Sequence, residues 1–563
     1  MRLSLTVSGV ADELSDRYGD LLTGSYDCVD RIVLNAYYPL GHSPGGFRVW
    51  WRRLHDDSDD ELDNAHLMRL AGRFARRVRA FAAASGIPVI ECTRGERKHL
   101  IAEEYLRTHS VGPGVFLILV ARAPATVWDV RRSADGRVIG AIAKKTSHVN
   151  HYSFHIMDPV WGHLTIKMSG HPPFGAQVIL NGHEYVAVAA QGEGIGFVKE
   201  GNCFTGIADP QRLARVADTL SQHAAIGRLG QVCDRWIYSA CLCFGLDTGE
   251  QERSGFRYAY SVYQVEYSRN LIFRDGRQLD RVFNTVADRA RSRLDVPALR
   301  TLFGARRRPG KYGTRGLSPR LGVVIETPAW DLTVFKVHFG RLTLKAYSKG
   351  EHLLRFEAIA HNTRQLGCGR VLEKFPEIIT RLAGMAERFC TVLDCVHTAF
   401  IADSTLDELP RPSQLGKIRV GGIDLNKPRI RTALQAVLAL AAAPAGFTVA
   451  DLTAKVGATT GQQDYTARQA GYDLRKLRGK GLVARLGRTR RYHVPSLAAR
   501  TIAALLALRD QVIAPILAGI RSPQRRGRKP ASWTAVDRDY ENLRIGMQAL
   551  FQHLGIQAAL PAA

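Results

Sequence analysis

Six histidines, His148, His151, His155, His163, His171 and His183, fall between positions 148 and 183, with Asp158 and Glu184 among them. Neutral imidazole and carboxylate are the usual ligands of Zn, Mn and Fe. On a helix, His151-x3-His155-x2-Asp158 would bring three ligands together, and these three are the candidate metal set. Yet Tyr152, Phe154 and Ile156 alternate as a strand does, which separates odd from even positions and spreads His151 and His155 along one face. Histidines of strand ends and turns that hydrogen-bond locally explain the same letters. A second group, Glu91, Glu96, Lys98, Glu103 and Glu104, has the residue types of a Mg-dependent phosphodiesterase, where carboxylates hold the cation and lysine polarises the phosphate. An amphipathic helix laced with ion pairs accounts for it equally. A third is Lys345-x-Tyr347-x-Lys349-Gly350 followed by Leu354-Arg355-x-Glu357, two strands on which Lys345, Arg355 and Glu357 would form a cross-strand charge ladder.

The densest charge lies elsewhere. Arg468, Arg475, Lys476, Arg478, Lys480, Arg485, Arg488, Arg490 and Arg491 stand within 24 positions in which Asp473 is the sole acid. Arginine forks read guanine edges and lysine tracks phosphate, so these nine are the candidate nucleic-acid contacts. Aromatic and basic residues also interleave at Phe47-Arg-Val-Trp-Trp-Arg-Arg and from Tyr258 to Arg269. That mixture suits base stacking or an ordinary core.

The elements that must position these residues follow from periodicity. Residues 61–85 place Leu62, Leu67, Leu70, Phe74, Val78 and Phe81 at helical spacing, with arginines opposite. Residues 114–121 are an apolar run of strand length. Residues 148–190 and 330–362 are strand-like, and 211–246 and 371–399 helical. Gly162–His183 echoes Gly340–His361 without a gap, matching Leu164 with Leu342, Thr165 with Thr343 and Lys167 with Lys345. Two hairpins of common composition, or a duplicated lobe, explain the echo. Further on, 430–442, a short helix capped by Thr448, 464–480 and a hairpin over 481–494 follow in order.

The predicted fold class is therefore α+β: a mixed α/β body that includes a duplicated lobe as one alternative, then a C-terminal three-helix and hairpin module and a helical tail. The expected division is 1–135 as an N-terminal lobe, 136–303 as a His-rich strand segment with helices, and 304–320 as a basic linker. There follow 321–428 as a second lobe, 429–494 as the module and 495–563 as a basic helical tail with a final helix over 537–556.

The chain has 563 residues with 78 Lys+Arg against 52 Asp+Glu, a net +26. An excess of this size points to a polyanionic partner. No apolar run is long enough to span a bilayer, and nine cysteines without a Cys-x-x-Cys make a disulfide scaffold or structural zinc ribbon a poor fit. A cytoplasmic, membrane-free protein is expected. No P-loop occurs, so nucleotide cofactors are unsupported.

Three resemblances add to this. The phrase LRKLRGKGLVARLGRTRRYHV resembles the recognition helix and wing of bacterial winged-helix DNA-binding domains, over residues 429–494. It implies a DNA partner ahead of RNA. Residues 345–357 are similar to the strand pair of phage and plasmid replication initiators; the resemblance implies Tyr347 as nucleophile and Glu357 as ligand of a divalent cation, although the paired histidines of many such initiators are missing, since no His-x-His occurs. Short stretches around Asp27 and Asp30, and around Asp424, resemble polynucleotide-transferase fragments. The whole chain is similar to a family of bacterial proteins of about this length that lacks an assigned activity, which implies a mobile-element or defence setting. The expected function is nucleic-acid binding without catalysis. The alternatives are a nuclease, transposase or replication initiator using Mg or Mn, and a transcription regulator.

Overall fold

The computed structural model describes residues 17–283 and 321–513, apart from 94, 135–137, 330–331, 340, 398–404, 417, 444–445 and 461–464, together with 542, 545 and 546. The basic stretches 304–320 and 521–529, and all but three residues of the expected helix over 537–556, lie outside them. The described residues form two compact units, the first within 17–280 and 327–387, the second from 388 onward with 281–283 and 321–326.

Long alternating segments supply the first unit with strands. These are β1 (Leu22–Tyr37), β2 (Val89–Glu91), β3 (Gly114–Arg132), β4 (Ile139–Asp158), β5 (Gly162–Ser169) and β6 (Ala176–Asn181). A small separate hairpin is made by β7 (Phe197–Lys199) and β8 (Phe204–Ile207). Then come β9 (Ala259–Phe273), β10 (Leu321–Ala329), of which only 327–329 fall in the first unit, β11 (Leu332–Phe339), β12 (Leu342–Lys349) and β13 (Leu353–Ala360). One mixed sheet takes eleven of them in the order β10-β11-β12-β13-β9-β1-β6-β5-β4-β3-β2. Only β2 and β3 pair in parallel among the described registers.

The order is symmetric about the central β9–β1 pair. Outward from β9 run β13, β12 and β11; outward from β1 run β6, β5 and β4. The two echoing segments are the hairpins β5–β6 and β12–β13, in matching places, and Lys167 and Lys345 occupy matching positions within them. The division expected near 135 falls between β3 and β4, which pair from Gly114↔Met157 to Arg132↔Ile139. Segments read as separate lobes therefore contribute strands to one sheet: β1 of the expected N-terminal lobe pairs with β9 of the His-rich segment over most of their length, and β9 pairs in turn with β13 of the expected second lobe.

One face of the sheet is apolar and covered. Phe154, Ile156, Leu164, Ile166, Met168, Val178 and Leu180 are buried on alternate positions of β4, β5 and β6. Two helices, α1 (Pro44–Leu54) and α2 (Asn64–Ser85), begin as the caps dictate: Ser43 and Asp63 accept from Gly46 N–H and His66 N–H. Gly86 ends α2 in the left-handed conformation at φ 65°. The apolar stripe read from the sequence, Leu67, Leu70, Phe74 and Val78, is buried, and the Phe74 ring packs at a tilt 4.9 Å from Tyr152. Phe47, Trp50 and Trp51 of α1 are wholly buried. That aromatic–basic run is core, not a base-stacking surface. Tyr258, Tyr260 and Tyr267 likewise spend their hydroxyls internally, on Phe174 O, Asp234 and Asp27.

After β2 comes α3 (Lys98–Thr108); the carboxylates near it pair locally, Glu104 with Arg107 and Glu91 with Arg79 of α2. Against β1 lie α4 (Gly182–Gly192) and α5 (Pro210–Asp218), followed in the chain by α6 (Ala224–Ala240) and α7 (Thr248–Ser254). The helix α8 (Phe375–His397) follows, with its residues up to Glu387 in the first unit.

The second unit continues with α9 (Thr405–Glu408), the hairpin β14 (Ser413–Leu415) and β15 (Ile418–Val420), then α10 (Pro428–Leu440), α11 (Val449–Thr460) and α12 (Ala467–Gly479). A short antiparallel hairpin follows, β16 (Ala484–Arg485) with β17 (Tyr492–His493), and then α13 (Ser496–Ala507). Among the described residues no helix is long and apolar enough to cross a membrane.

Candidate nucleic-acid interface and a buried charge network

In the second unit the caps set the helix starts. Thr448 and Asp451 exchange hydrogen bonds at the head of α11, and Thr466 and Gln469 form a full capping box at the head of α12. Ala470, Asp473, Leu474 and Leu477 point inward from α12. Asp473, the sole acid of the basic run, is wholly buried. It accepts from Arg429 Nη2 and Tyr465 Oη, each at 3.0 Å. Burial, outweighing Arg429, raises its carboxyl above the usual range. The outer surface is left to cations. Arg468, Arg475, Arg485, Arg488, Arg490 and Arg491 are exposed, and Lys476, Arg478 and Lys480 half-buried. Arg475 and Lys476 lie over the ring of Tyr472, at 5.8 and 5.0 Å. The hairpin turn is closed by Leu486 N–H to Arg491 O at 2.9 Å and tied down by Phe447 and Tyr492, which exchange backbone hydrogen bonds. Apart from Arg491, none of the nine basic residues forms an ion pair with a carboxylate among the described residues.

The arginines of α2, by contrast, are largely spoken for. Arg73 pairs with Glu250 at 2.7 Å, Arg77 with Asp247 at 3.6 Å and Arg79 with Glu91 at 2.9 Å.

The first unit's polar sheet face holds the second cluster. β1 breaks register with β9 between Val29 and Ile32, and Asp30 stands at that break. Arg355 of β13, with no exposed surface, sets Nη2 at 2.9 and 3.0 Å from the two oxygens of Asp30, 3.0 Å from Asn202 O and 3.1 Å from Ser268 Oγ. His183, in the first turn of α4, brings Nδ1 to 2.6 Å from Asp30 Oδ1 and Nε2 to 3.4 Å from Tyr26 Oη. Burial favours the protonated acid at Asp30, yet the Arg355 and His183 charges prevail and hold its carboxyl below the ordinary range. Burial pushes the His183 imidazole down, with Asp30 opposing.

Beside it, Glu357 accepts from Lys345 Nζ at 2.9 Å and Tyr347 Oη at 2.5 Å. The residues expected as nucleophile and metal ligand therefore do meet. Their contact is a phenol donating to a carboxylate, and burial together with the Glu357 charge pushes the Tyr347 phenol up, so it keeps its proton. Lys345 sits directly opposite Glu357 in register, as the charge-ladder reading requires.

Cys28, Asp30 and His183 bring one ligand atom each within 4.8 Å of the others. The set does not fit a metal ion. The Arg355 guanidinium already covers both Asp30 oxygens, and burial raises the Cys28 thiol so that it stays protonated. The expected metal set fares no better. His151, His155 and Asp158 all lie on β4, a strand and not a helix. His155 turns to His163 at 3.0 Å and Thr165 at 3.1 Å. Asp158 is filled by the backbone N–H groups of Val160 and Trp161 and the side chains of Arg235 and Trp236, all at 2.8 Å. These three do not form a ligand cluster among the described residues.

Sequence reading singled out Asp30, His183 and Arg355 in separate fragments but not as partners, since 325 positions separate Asp30 from Arg355. Asn202, which bridges Arg355 and Lys349, carried no sequence signal. Searches of family models, curated proteins and solved structures find no match to this chain.

Proposed function

We propose that the protein binds nucleic acid, duplex DNA in preference to RNA, through its second unit. In this reading α10, α11, α12 and the β16–β17 hairpin act as a winged helix. The outer side of α12 faces the major groove, and the turn over 486–491 reaches phosphate or the minor groove. The observation that carries it is the sorting of charge around α12: the lone acid is drawn inside to Arg429, and eight of nine cations have no described carboxylate partner. Proteins rarely leave so many neighbouring cations uncompensated without an anionic partner.

The test is a duplex-DNA titration of wild type and the combined Arg475→Ala, Arg478→Ala, Arg490→Ala and Arg491→Ala variant at several salt concentrations. Each lost phosphate contact lowers the logarithmic salt slope by about 0.9, so the variant is expected to bind more weakly with a slope smaller by up to about 3.6. An unchanged slope defeats the assignment.

The alternative of a Mg- or Mn-dependent nuclease, transposase or initiator rests on the Tyr347–Glu357 contact. With the phenol protonated and Glu357 shared with Lys345, that contact supports a structural pair better than a reactive one. A transcription regulator remains compatible with the second unit but gains no separate support.

A further inference from the structure

The first unit's polar sheet face also carries a groove of about 720 Å³ where β1, β6, β5 and β9 meet the loop after β13. Lys167, Arg364 and Arg370 line it, together with the rings of Tyr37, His42 and His151, and no carboxylate does. None of these three cations forms an ion pair among the described residues. More positive charge stands close by. Lys144 adds to the burial that lowers His42, and Lys167 to the burial that lowers Lys98 and holds His151 to about 4. The groove is thus a concentration of positive charge with neutral imidazoles in its wall.

It is also held in shape. Val262 N–H donates to Arg370 O at 2.7 Å, Ser261 bridges Val371, and Thr363 Oγ1 donates to Val262 O, so the loop carrying Arg364 and Arg370 is pinned to β9. On the groove floor Gln177 Nε2 donates to Asn35 Oδ1 at 3.0 Å. That bond leaves the Asn35 amide N–H groups and the Gln177 carbonyl without a partner among the described residues. A donor and an acceptor thus stand side by side.

We propose that this groove takes single-stranded nucleic acid, with phosphates on Lys167, Arg364 and Arg370 and unstacked bases against the rings and amides. The chemistry favours that occupant over a duplex. The volume is that of a pocket for a small ligand, and stacking rings with free amide edges serve bases that have left a helix. The class of polyanion rests on the nucleic-acid reading given above, but no residue is shared with the second unit's surface.

The experiment uses the full chain and fluorescence anisotropy with a labelled single-stranded DNA 12-mer and a labelled duplex. Lys167→Ala, Arg364→Ala and Arg370→Ala combined should weaken single-strand binding by about tenfold or more and leave duplex binding unchanged. The four-arginine variant of the second unit should do the reverse. A charge-conserving set, Lys167→Arg, Arg364→Lys and Arg370→Lys, should restore single-strand binding. Wild-type affinity for the single strand in the alanine set overturns the proposal, as does a charge-conserving set that fails to restore it. Duplex binding with no single-strand binding in the wild type overturns the groove and leaves the duplex reading intact. Binding of neither overturns both.

Discussion

At the scale of residues, the deepest commitment is the Asp30–Arg355 pair. Both side chains are essentially without exposed surface, and desolvating two charges costs several kcal/mol that only close geometry and extra hydrogen bonds offset. Arg355 meets those conditions through Asp30, Asn202 and Ser268. Removing one partner strands the other. Asp30→Asn is therefore expected to destabilise the protein by about 3–5 kcal/mol. Arg355→Met should cost a similar amount, because it leaves Asp30 buried against His183 alone. The double variant should lose clearly less than the sum, since it leaves no unpaired charge. Urea unfolding of the four proteins reads the coupling directly, and additive losses would mean the pair contributes nothing jointly.

At the scale of elements, the network depends on how α4 meets β1. Gly182 opens α4, and a Cβ there would lie 1.7 Å from Val29 O, just before the register break that carries Asp30. Only glycine lets the helix start so close to the strand, and the next residue is His183. Gly182→Ala should push α4 off β1 and cost about 2–3 kcal/mol. It should also weaken the His183–Asp30 contact, visible as a shift of the His183 imidazole resonance toward an ordinary titration. An alanine variant with wild-type stability would contradict that close approach. Elements of this kind were legible in the sequence where the cause is local. The stripe and caps of α2, and the caps at Thr448 and Thr466, sit within a turn or two of the helices they start. The pairing of β1 with β9 was not legible. It joins segments more than two hundred positions apart, and alternation reveals that a strand exists but not its neighbour. The candidate site shows the same split. The nine basic residues were visible as a run, whereas the groove needs Lys167 and Arg370 from segments more than two hundred positions apart, and the metal set failed because a strand, not a helix, carries it.

At the scale of the molecule, charge is sorted into three conditions. Arg73, Arg77 and Arg79 of α2 are paired with carboxylates, Arg355 is buried and neutralised, and the groove cations and those of α12 with its hairpin, Arg491 apart, have no carboxylate partner among the described residues. Histidine follows a fourth pattern. Burial holds His151 to about 4 and His155 to about 3, and lowers His163, His171 and His183 as well. An unfolded histidine takes up its proton near 6.5. Between that value and about 4 the unfolded chain therefore binds more protons than the folded one, and stability must fall as pH falls through this window. Asp30 and Asp158 are held below their ordinary range and lose their contribution only at lower pH, whereas burial raises Asp218, Glu266 and Asp473, which oppose the histidines, so the difference between wild type and a histidine variant isolates the histidine share. His155 is the sharpest case. It is 3% exposed, with His163 and Lys98 adding to its burial. Alone it should contribute a slope of up to about 1.4 kcal/mol per pH unit. Unfolding free energies at pH 7, 6, 5 and 4 should decline for the wild type and decline less steeply for His155→Gln, which cannot titrate. Parallel curves would mean that His155 already carries its proton in the folded sheet.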